Sequence, residues 1–230
     1  MLFLIYVVVV LCLVPILAFC MLTGARNLLL AIGKQTMRFS RVVLGLDLDV
    51  SGVKSVDRNR PYIFMPNHLS FLDGPLVFML IPQPVRVILK KEVFRLPVVG
   101  LGMKFVEFVP VDRKGGRGGR VSIERAARLM REKEYSFLIF PEGTRSRDGK
   151  LQKFKRGGFF LALESGIPIV PISIQGTYAL MPRKSFFIRK GCIKVVFHPA
   201  VPVQGYGPDS LSELIDRVRT TIQSGLREEG

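Results

Sequence analysis

The chain has 230 residues, 48% of them apolar, and its 34 basic side chains outnumber its 18 acidic ones, for a net charge of +16. This length allows one sizeable core or one domain with an anchor, and the charge indicates an anionic partner: nucleic acid, an anionic lipid surface or a phosphorylated substrate. The three cysteines are odd in number and two of them lie in an apolar run, which argues against a disulfide framework.

Residues 1–25 contain no charged side chain, and a helix of that length reaches across a hydrocarbon core of roughly 30 Å. The next stretch mixes apolar residues with cations, which indicates a second, shallow helix along the interface, while Pro15 permits an anchor that enters only one leaflet. Residues 1–41 are therefore predicted to form a membrane-anchoring helical segment. The catalytic part is predicted on the cytoplasmic side, because four cations precede the first acid: Arg26, Lys34, Arg38 and Arg41.

From residue 42 onward, short β-branched and aromatic runs alternate with helical stretches, a pattern typical of an α/β domain. We expect a mixed β-sheet flanked by helices over residues 42–230. The predicted strands are 43–50, 61–65, 85–89, 105–111, 136–140, 167–174 and 192–197. The predicted helices are 74–81, 119–133, 157–165 and 209–226, and the glycine-rich stretch 113–120 indicates a mobile basic loop.

The segment PNHLSFLDG, residues 66–74, contains one of the two histidines of the chain. His68 directly follows a predicted strand, where ligands of open α/β sheets bind, and Asp73 lies five residues later. The two side chains meet only if the chain turns between them, and Gly74 followed by Pro75 is a turn signal. On its own the segment is weak evidence for a site, because a structural interpretation, with Asn67 and Asp73 as caps and His68 as a loop histidine, fits it better.

A second polar cluster, FPEGTRS, begins where the predicted strand 136–140 ends. Gly143 permits close approach of a ligand to the backbone, Thr144 offers a hydroxyl donor, and Arg145 presents a planar fork that suits a phosphate. Arg113 follows another predicted strand in FVPVDR. The sequence therefore predicts a phosphate pocket at these strand ends.

Four sequence blocks occur in one order over about residues 60–175: NHLSFLD, FVPVDR, FPEGTRS and IVPISI. In residues and order they resemble the conserved blocks of the 1-acylglycerol-3-phosphate acyltransferases, a family within the wider glycerolipid acyltransferases. The resemblance implies that the enzyme moves a fatty acyl group from an acyl thioester to the free hydroxyl of lysophosphatidic acid. The product would be phosphatidic acid, a precursor in phospholipid biosynthesis.

The resemblance also implies residue roles. His68 would act as general base, and Asp73 would hold its imidazole in the correct tautomer. The acceptor phosphate would be held by Arg113 and Arg145, with Lys155 as a less central contact. Other acceptor-site residues implied by the family are Glu142, Gly143 and Thr144.

No cofactor or metal is expected beyond the co-substrate, which would be acyl-CoA or an acylated acyl carrier protein. The expected partners are lysophosphatidic acid, this donor and membrane lipids, without nucleic acid.

Alternatives remain open at this point. The acceptor could be another lysophospholipid or glycerol 3-phosphate, and Ser70 or Ser146 could serve as a nucleophile with His68 as its base. A metal site built from His68, Asp73 and His198 fits no zinc spacing, and no G-x-S-x-G elbow occurs. A non-enzymatic basic protein that binds anionic lipid would have no use for His68.

Overall fold

The computed structural model describes residues 2–111, 117–183, 185 and 187–226, with side chains from residue 13 onward except at 117 and 118. Arg113, a predicted site residue, lies outside the described residues. Residues 113–116 of the predicted basic loop 113–120 also lie outside them, and residues 117–120 are not loop, because a helix begins at Arg117.

One sheet of seven strands forms the centre of the described chain. The strands are β1 Leu46–Ser51, β2 Ile63–Pro66, β3 Val85–Lys90, β4 Val109–Val111, β5 Ser136–Leu138, β6 Ile169–Gln175 and β7 Gly191–Phe197. Their order is β1-β7-β6-β2-β5-β3-β4, and the β6–β7 pair is antiparallel while the other pairs are parallel. The predicted mixed sheet is therefore confirmed.

Helices flank this sheet and bury apolar side chains in two clusters, as an α/β fold requires. The helices are α1 Leu2–Thr23, α2 Arg26–Val43, α3 Asp73–Leu80, α4 Val99–Phe105, α5 Arg117–Lys133, α6 Gly157–Ser165, α7 Thr177–Leu180 and α8 Leu211–Ser224. One cluster includes Leu30, Leu76 and Phe78 from α2 and α3, and the other includes Leu161 and Val218 from α6 and α8.

The two N-terminal helices are joined at Gly24, whose φ of 71° places it in the left-handed region that glycine adopts readily. Lys34 fastens α2 to the domain, because its Nζ donates to the carbonyls of Ile81 at 2.6 Å and Gln83 at 2.7 Å. Two helices were predicted here and two are found. In the part of the chain that the structure describes, however, no helix combines the length and apolarity needed to cross a bilayer.

The region before β4 differs from the prediction. Residues 105–111 were predicted as one strand, but only Val109–Val111 pairs in the sheet, and α4 precedes it. This helix is short and includes glycines, which weaken any helical signal in the sequence. Its position is set by packing instead, since a Cβ at Gly100 would overlap the carbonyl of Phe94.

Strand direction decides what meets at each edge of the sheet. The parallel strands β2, β5, β3 and β4 all end at one edge, which we call the site edge. Because β7 runs antiparallel to β6, β7 and its parallel neighbour β1 begin at this same edge. The loops that follow β2 and β5 and the chain entering β7 therefore converge there.

Candidate active site

His68 and Asp73 form the centre of the site edge. The imidazole Nδ1 of His68 lies 3.0 Å from Oδ2 of Asp73, so the predicted contact between them is present. The same oxygen accepts hydrogen bonds from the backbone N–H groups of Leu69, at 2.6 Å, and Ser70, at 2.7 Å. The fully buried carboxylate thus stabilises the turn that brings the two side chains together.

This arrangement fixes the tautomer of His68. A carboxylate only accepts hydrogen bonds, so Nδ1 bears the proton and Nε2 keeps its lone pair. The His68 side chain is 14% exposed, which leaves it accessible from the site edge. An imidazole oriented by a buried carboxylate is the arrangement of a general base.

The loop after β5 contacts His68 at three points. The backbone N–H of His68 donates to Oε1 of Glu142 at 2.6 Å, and the carbonyl of His68 accepts from the N–H of Ser146 at 2.8 Å. The Phe140 ring stacks on the imidazole with centroids 4.0 Å apart and planes 27° from parallel. Sequence reasoning missed these contacts, which connect residues about seventy positions apart.

Glu142 braces this loop. Its second oxygen, Oε2, accepts from the N–H of Gln152 at 3.1 Å, and the residue is almost fully buried. Burial raises the pKa of the Glu142 carboxyl, while the hydrogen bonds from His68 and Gln152 oppose that rise. The structure thus gives this predicted acceptor-site residue a positioning role that the sequence did not reveal.

Cationic groups gather on the same loop. Gly143 has a φ of 70°, and the Lys155 side chain runs over it so closely that a Cβ there would meet Lys155 Nζ at 3.1 Å. Arg145 is partly buried, with its guanidinium 5.8 Å from the centre of the Phe71 ring. A cavity of about 290 Å³ borders Gly143 and Lys155 and also Phe140, the ring that stacks on His68.

Two other predicted acceptor-site residues, Thr144 and Arg113, have no described side-chain contact at the site. Thr144 is exposed, and its carbonyl accepts from Nε2 of Gln152. Arg113 lies outside the described residues, but β4 ends at the site edge two residues before it. Lys90 and Lys91 also stand at this edge, at the end of β3, and sequence analysis overlooked them. The strand-end rule that selected His68 would have found them.

Neither candidate nucleophilic serine is directed at His68. The Ser70 hydroxyl donates to the carbonyl of Met181 at 2.7 Å. The Ser146 hydroxyl bonds within its own loop, to Asp148 at 3.0 Å and to the Lys150 carbonyl at 2.9 Å. These contacts favour a structural role for both hydroxyls.

His198 and Asn67 have structural partners as well. His198 follows β7, where its N–H donates to the carbonyl of Pro171 in β6 at 3.0 Å, and its Nε2 lies 2.7 Å from the hydroxyl of Ser173. Among the residues that the structure describes, no group of three or more His, Cys, Asp or Glu side chains is arranged to hold a metal ion. Asn67 caps no helix, because its side chain bonds both the N–H and the carbonyl of Ile174.

Comparison with known proteins agrees with this geometry. The sequence profile of the Acyltransferase family matches residues 47–175. A chloroplastic 1-acyl-sn-glycerol-3-phosphate acyltransferase of Brassica napus is 34% identical over 180 residues, 77% of this chain and 50% of that protein. The human 1-acyl-sn-glycerol-3-phosphate acyltransferase alpha is 30% identical over 82% of this chain and 66% of its own length. The chain thus spans only half to two thirds of these two relatives.

A solved structure is also similar. The crystal structure of the 1-acyl-sn-glycerophosphate (LPA) acyltransferase PlsC from Thermotoga maritima superposes with a TM-score of 0.80 at 26% identity. The match covers 96% of this chain and 90% of that one. The likeness therefore extends over nearly the whole of both chains.

Proposed function

The chain belongs to the Acyltransferase family, and from that premise we propose that it transfers a fatty acyl group to 1-acylglycerol 3-phosphate, giving phosphatidic acid. The observation that carries the proposal is the His68–Asp73 pair, 3.0 Å apart, beside Arg145 and Lys155 at one edge of the sheet. Similarity to relatives named for this activity supports the choice of acceptor.

The chemistry begins with proton transfer. Nε2 of His68 takes the proton of the acceptor hydroxyl as its oxygen attacks the thioester carbonyl, forming a tetrahedral adduct. The imidazolium that forms is stabilised by the Asp73 carboxylate on its other nitrogen. Asp73 is held by two further backbone hydrogen bonds, so little reorganisation is needed when the charge develops.

The adduct then collapses. Its C–S bond breaks, the new ester remains on the acceptor, and the thiolate receives the proton from Nε2 of His68. The base is thereby regenerated without any covalent bond between the acyl group and the protein. The hydrogen bonds made by Ser70 and Ser146 support this direct route.

The cations at the site favour an acceptor that carries a phosphate. Arg145 and Lys155 flank the turn at Gly143, where backbone and cations together suit a phosphate. Arg113 is proposed as a third cation, on the strength of its sequence position after β4. The donor is proposed to be an acyl thioester of CoA or of acyl carrier protein, with no other cofactor.

A membrane location fits these substrates. We propose that the N-terminal segment holds the protein on the bilayer with the catalytic domain on the cytoplasmic side, given the uncharged first 25 residues and the cations that follow. Washing membranes that contain the full chain with concentrated salt tests this. Retention in the membrane fraction is expected, whereas release into the supernatant would show purely electrostatic attachment.

The decisive functional test is a transfer assay with labelled acyl-CoA or acylated carrier protein over a panel of acceptors. Lysophosphatidic acid should be the best acceptor, ahead of other lysophospholipids and glycerol 3-phosphate. A direct mechanism requires both substrates on the enzyme before reaction, so initial-rate plots should intersect. Transfer only to a different acceptor would contradict the proposed substrate, and no transfer to any acceptor would contradict the enzymatic function.

A further inference from the structure

A loop of residues 181–190 connects α7 to β7 beside the active site. Its base is closed by a hydrogen bond from the N–H of Arg189 to the carbonyl of Leu180 at 3.0 Å. The carbonyl of Met181 accepts from the Ser70 hydroxyl, and Nη1 of Arg183 lies 3.4 Å from the carbonyl of Arg145. Met181 and Arg183 are therefore held against the two segments that carry the site.

This loop presents an aromatic ring to solvent. Phe187 is 84% exposed, and its backbone is ordered relative to Ser185, because its N–H donates to the Ser185 hydroxyl at 3.1 Å and its carbonyl accepts from that hydroxyl at 2.9 Å. Phe71, on the segment that the loop contacts through Ser70, is 61% exposed. Large apolar side chains held outward usually mark a contact surface.

The end of the loop reaches the N-terminal helices. The N–H of Gly191 donates to the carbonyl of Gly45 at 3.2 Å, and the Lys190 side chain packs over Gly45. Gly45 is two residues beyond α2, whose last turns expose three more apolar side chains. Together these five residues form what we call the aromatic rim: Phe39, Val42, Val43, Phe71 and Phe187.

The two segments that supply four of the five rim residues are basic, and the first acid after α2 in the chain is the exposed Asp47, four residues beyond that helix. Residues 26–46 and 181–190 contain no acidic side chain. The described cations beside the rim residues are Arg38, Arg41, Arg145, Arg183, Arg189 and Lys190. Apolar tips among cations are typical of surfaces that rest on anionic lipid, where rings sit at headgroup level and cations meet phosphates.

We propose that the aromatic rim is a membrane-contact surface that seats the mouth of the active site directly on an anionic bilayer, with Phe187 inserted at headgroup level. The surface continues from α2, so the N-terminal helices and the site face the same membrane. An acidic carrier protein would share the charge preference, but continuity with α2 favours the bilayer. The proposal rests on the proposed function in one respect: the acceptor is drawn from that bilayer.

Fluorescence tests the insertion directly, because the chain contains no tryptophan. Phe187→Trp in the full chain is bound to phosphatidylcholine vesicles containing phosphatidylglycerol, with and without brominated acyl chains. We expect its emission to shift to shorter wavelength and to be quenched by the brominated lipid. The matched control is Tyr206→Trp, located beyond the Val201–Ile169 bridge at the opposite edge of the sheet, which should show neither change. Equal behaviour of the two tryptophans would overturn the proposal.

Kinetics give a second test. Phe187→Ser should raise the apparent KM for lysophosphatidic acid presented in vesicles about tenfold, the scale expected for partial loss of a buried phenylalanine. KM for a short-chain, water-soluble lysophosphatidic acid should not change, and Phe187→Leu should retain most of the vesicle activity. An equal rise in KM for the vesicle-borne and the water-soluble acceptor would show that the loop belongs to the acceptor pocket and would overturn the proposal.

The remaining outcomes are also informative. A KM raised only for acylated carrier protein would show a protein-docking surface and overturn the membrane assignment. If the wild-type chain transferred no acyl group, the proposed function would fail, but the tryptophan measurement would still decide whether the rim contacts lipid. Failure of the proposed function and failure of the membrane contact are thus distinguishable.

Discussion

His68 and Glu142 are joined by a hydrogen bond of 2.6 Å from the backbone N–H of His68 to the Glu142 carboxylate. The bond connects the loop after β2 to the loop after β5, and the Phe140 ring and the Ser146 N–H strengthen the same junction. The two polar clusters seen in the sequence are therefore one structural unit. The orientation of the base depends on both.

The first prediction concerns that bond. Glu142→Gln keeps the side-chain shape but removes the charge and places an N–H₂ group against either His68 N–H or Gln152 N–H. Loss of a hydrogen bond to a charged group costs about 1.5–3 kcal/mol, so we expect kcat to fall about tenfold to a hundredfold. The acceptor KM should change little, because the phosphate contacts remain. An unchanged kcat in a folded variant would show that Glu142 does not position His68.

A second prediction separates charge from geometry at Asp73. In Asp73→Asn the amide oxygen can take the place of Oδ2 and keep the N–H donors of Leu69 and Ser70. The amide nitrogen then takes the place of Oδ1, which is buried and has no hydrogen-bond partner in the described part of the chain. The turn should survive, while the rate should fall at least about a hundredfold because the imidazolium loses its counter-charge. An Asp73→Asn variant with the wild-type rate and a normal melting temperature would show that the Asp73 charge is not needed to stabilise the imidazolium.

Phosphate recognition gives the third prediction. Arg145→Ala should raise the acceptor KM more than the donor KM, and Arg145→Lys should rescue only in part, because lysine lacks the bidentate fork. Arg113→Ala is expected to act in the same direction. Arg147, exposed on the same loop, provides a matched control whose replacement by Ala should leave both constants unchanged. If Arg145→Ala raised only the donor KM, Arg145 would bind the acyl donor and not the acceptor phosphate.

The fourth prediction is a pH effect on stability. Burial lowers the pKa of His198 below its usual 6.5, so the folded state binds this proton less readily than the unfolded state. Stability should therefore decline as pH falls below about 6.5. His198→Gln removes this titration, and the urea midpoint of the variant should change less than that of the wild type between pH 7.5 and 5.5. Parallel declines of the two midpoints would exclude His198 as a source of the effect.

Local pattern was sufficient to predict the approximate positions of the seven strands, because runs of apolar, β-branched and aromatic residues mark them. The His68–Asp73 contact was implied by the family resemblance, and the turn that allows it lies at residues 70–72, just before Gly74 and Pro75, which belong to α3. The helix α4 was not predicted, because its glycines weaken the helical pattern and long-range packing at Gly100 determines its position. Its omission made the predicted strand before Arg113 too long.

The roles of individual polar residues were harder to predict. Asn67 looked like a cap, yet it bonds Ile174 across the sheet, 107 positions away. Glu142 was placed near the acceptor by family resemblance, while its contacts to His68 and Gln152 emerge only when two loops are packed together. A single sequence carries no signal for such pairings, because they depend on strand order and not on spacing.

The central claim is that His68 is the base in a direct acyl transfer. It is tested most directly by the single-turnover rate of labelled acyl transfer from acyl-CoA to lysophosphatidic acid, compared between the wild type and His68→Ala. We expect the rate to fall about 10²- to 10⁴-fold in a folded variant, with no labelled protein at any time. A near-wild-type rate, or a Ser70 or Ser146 peptide carrying the acyl group after incubation with donor alone, would contradict the claim.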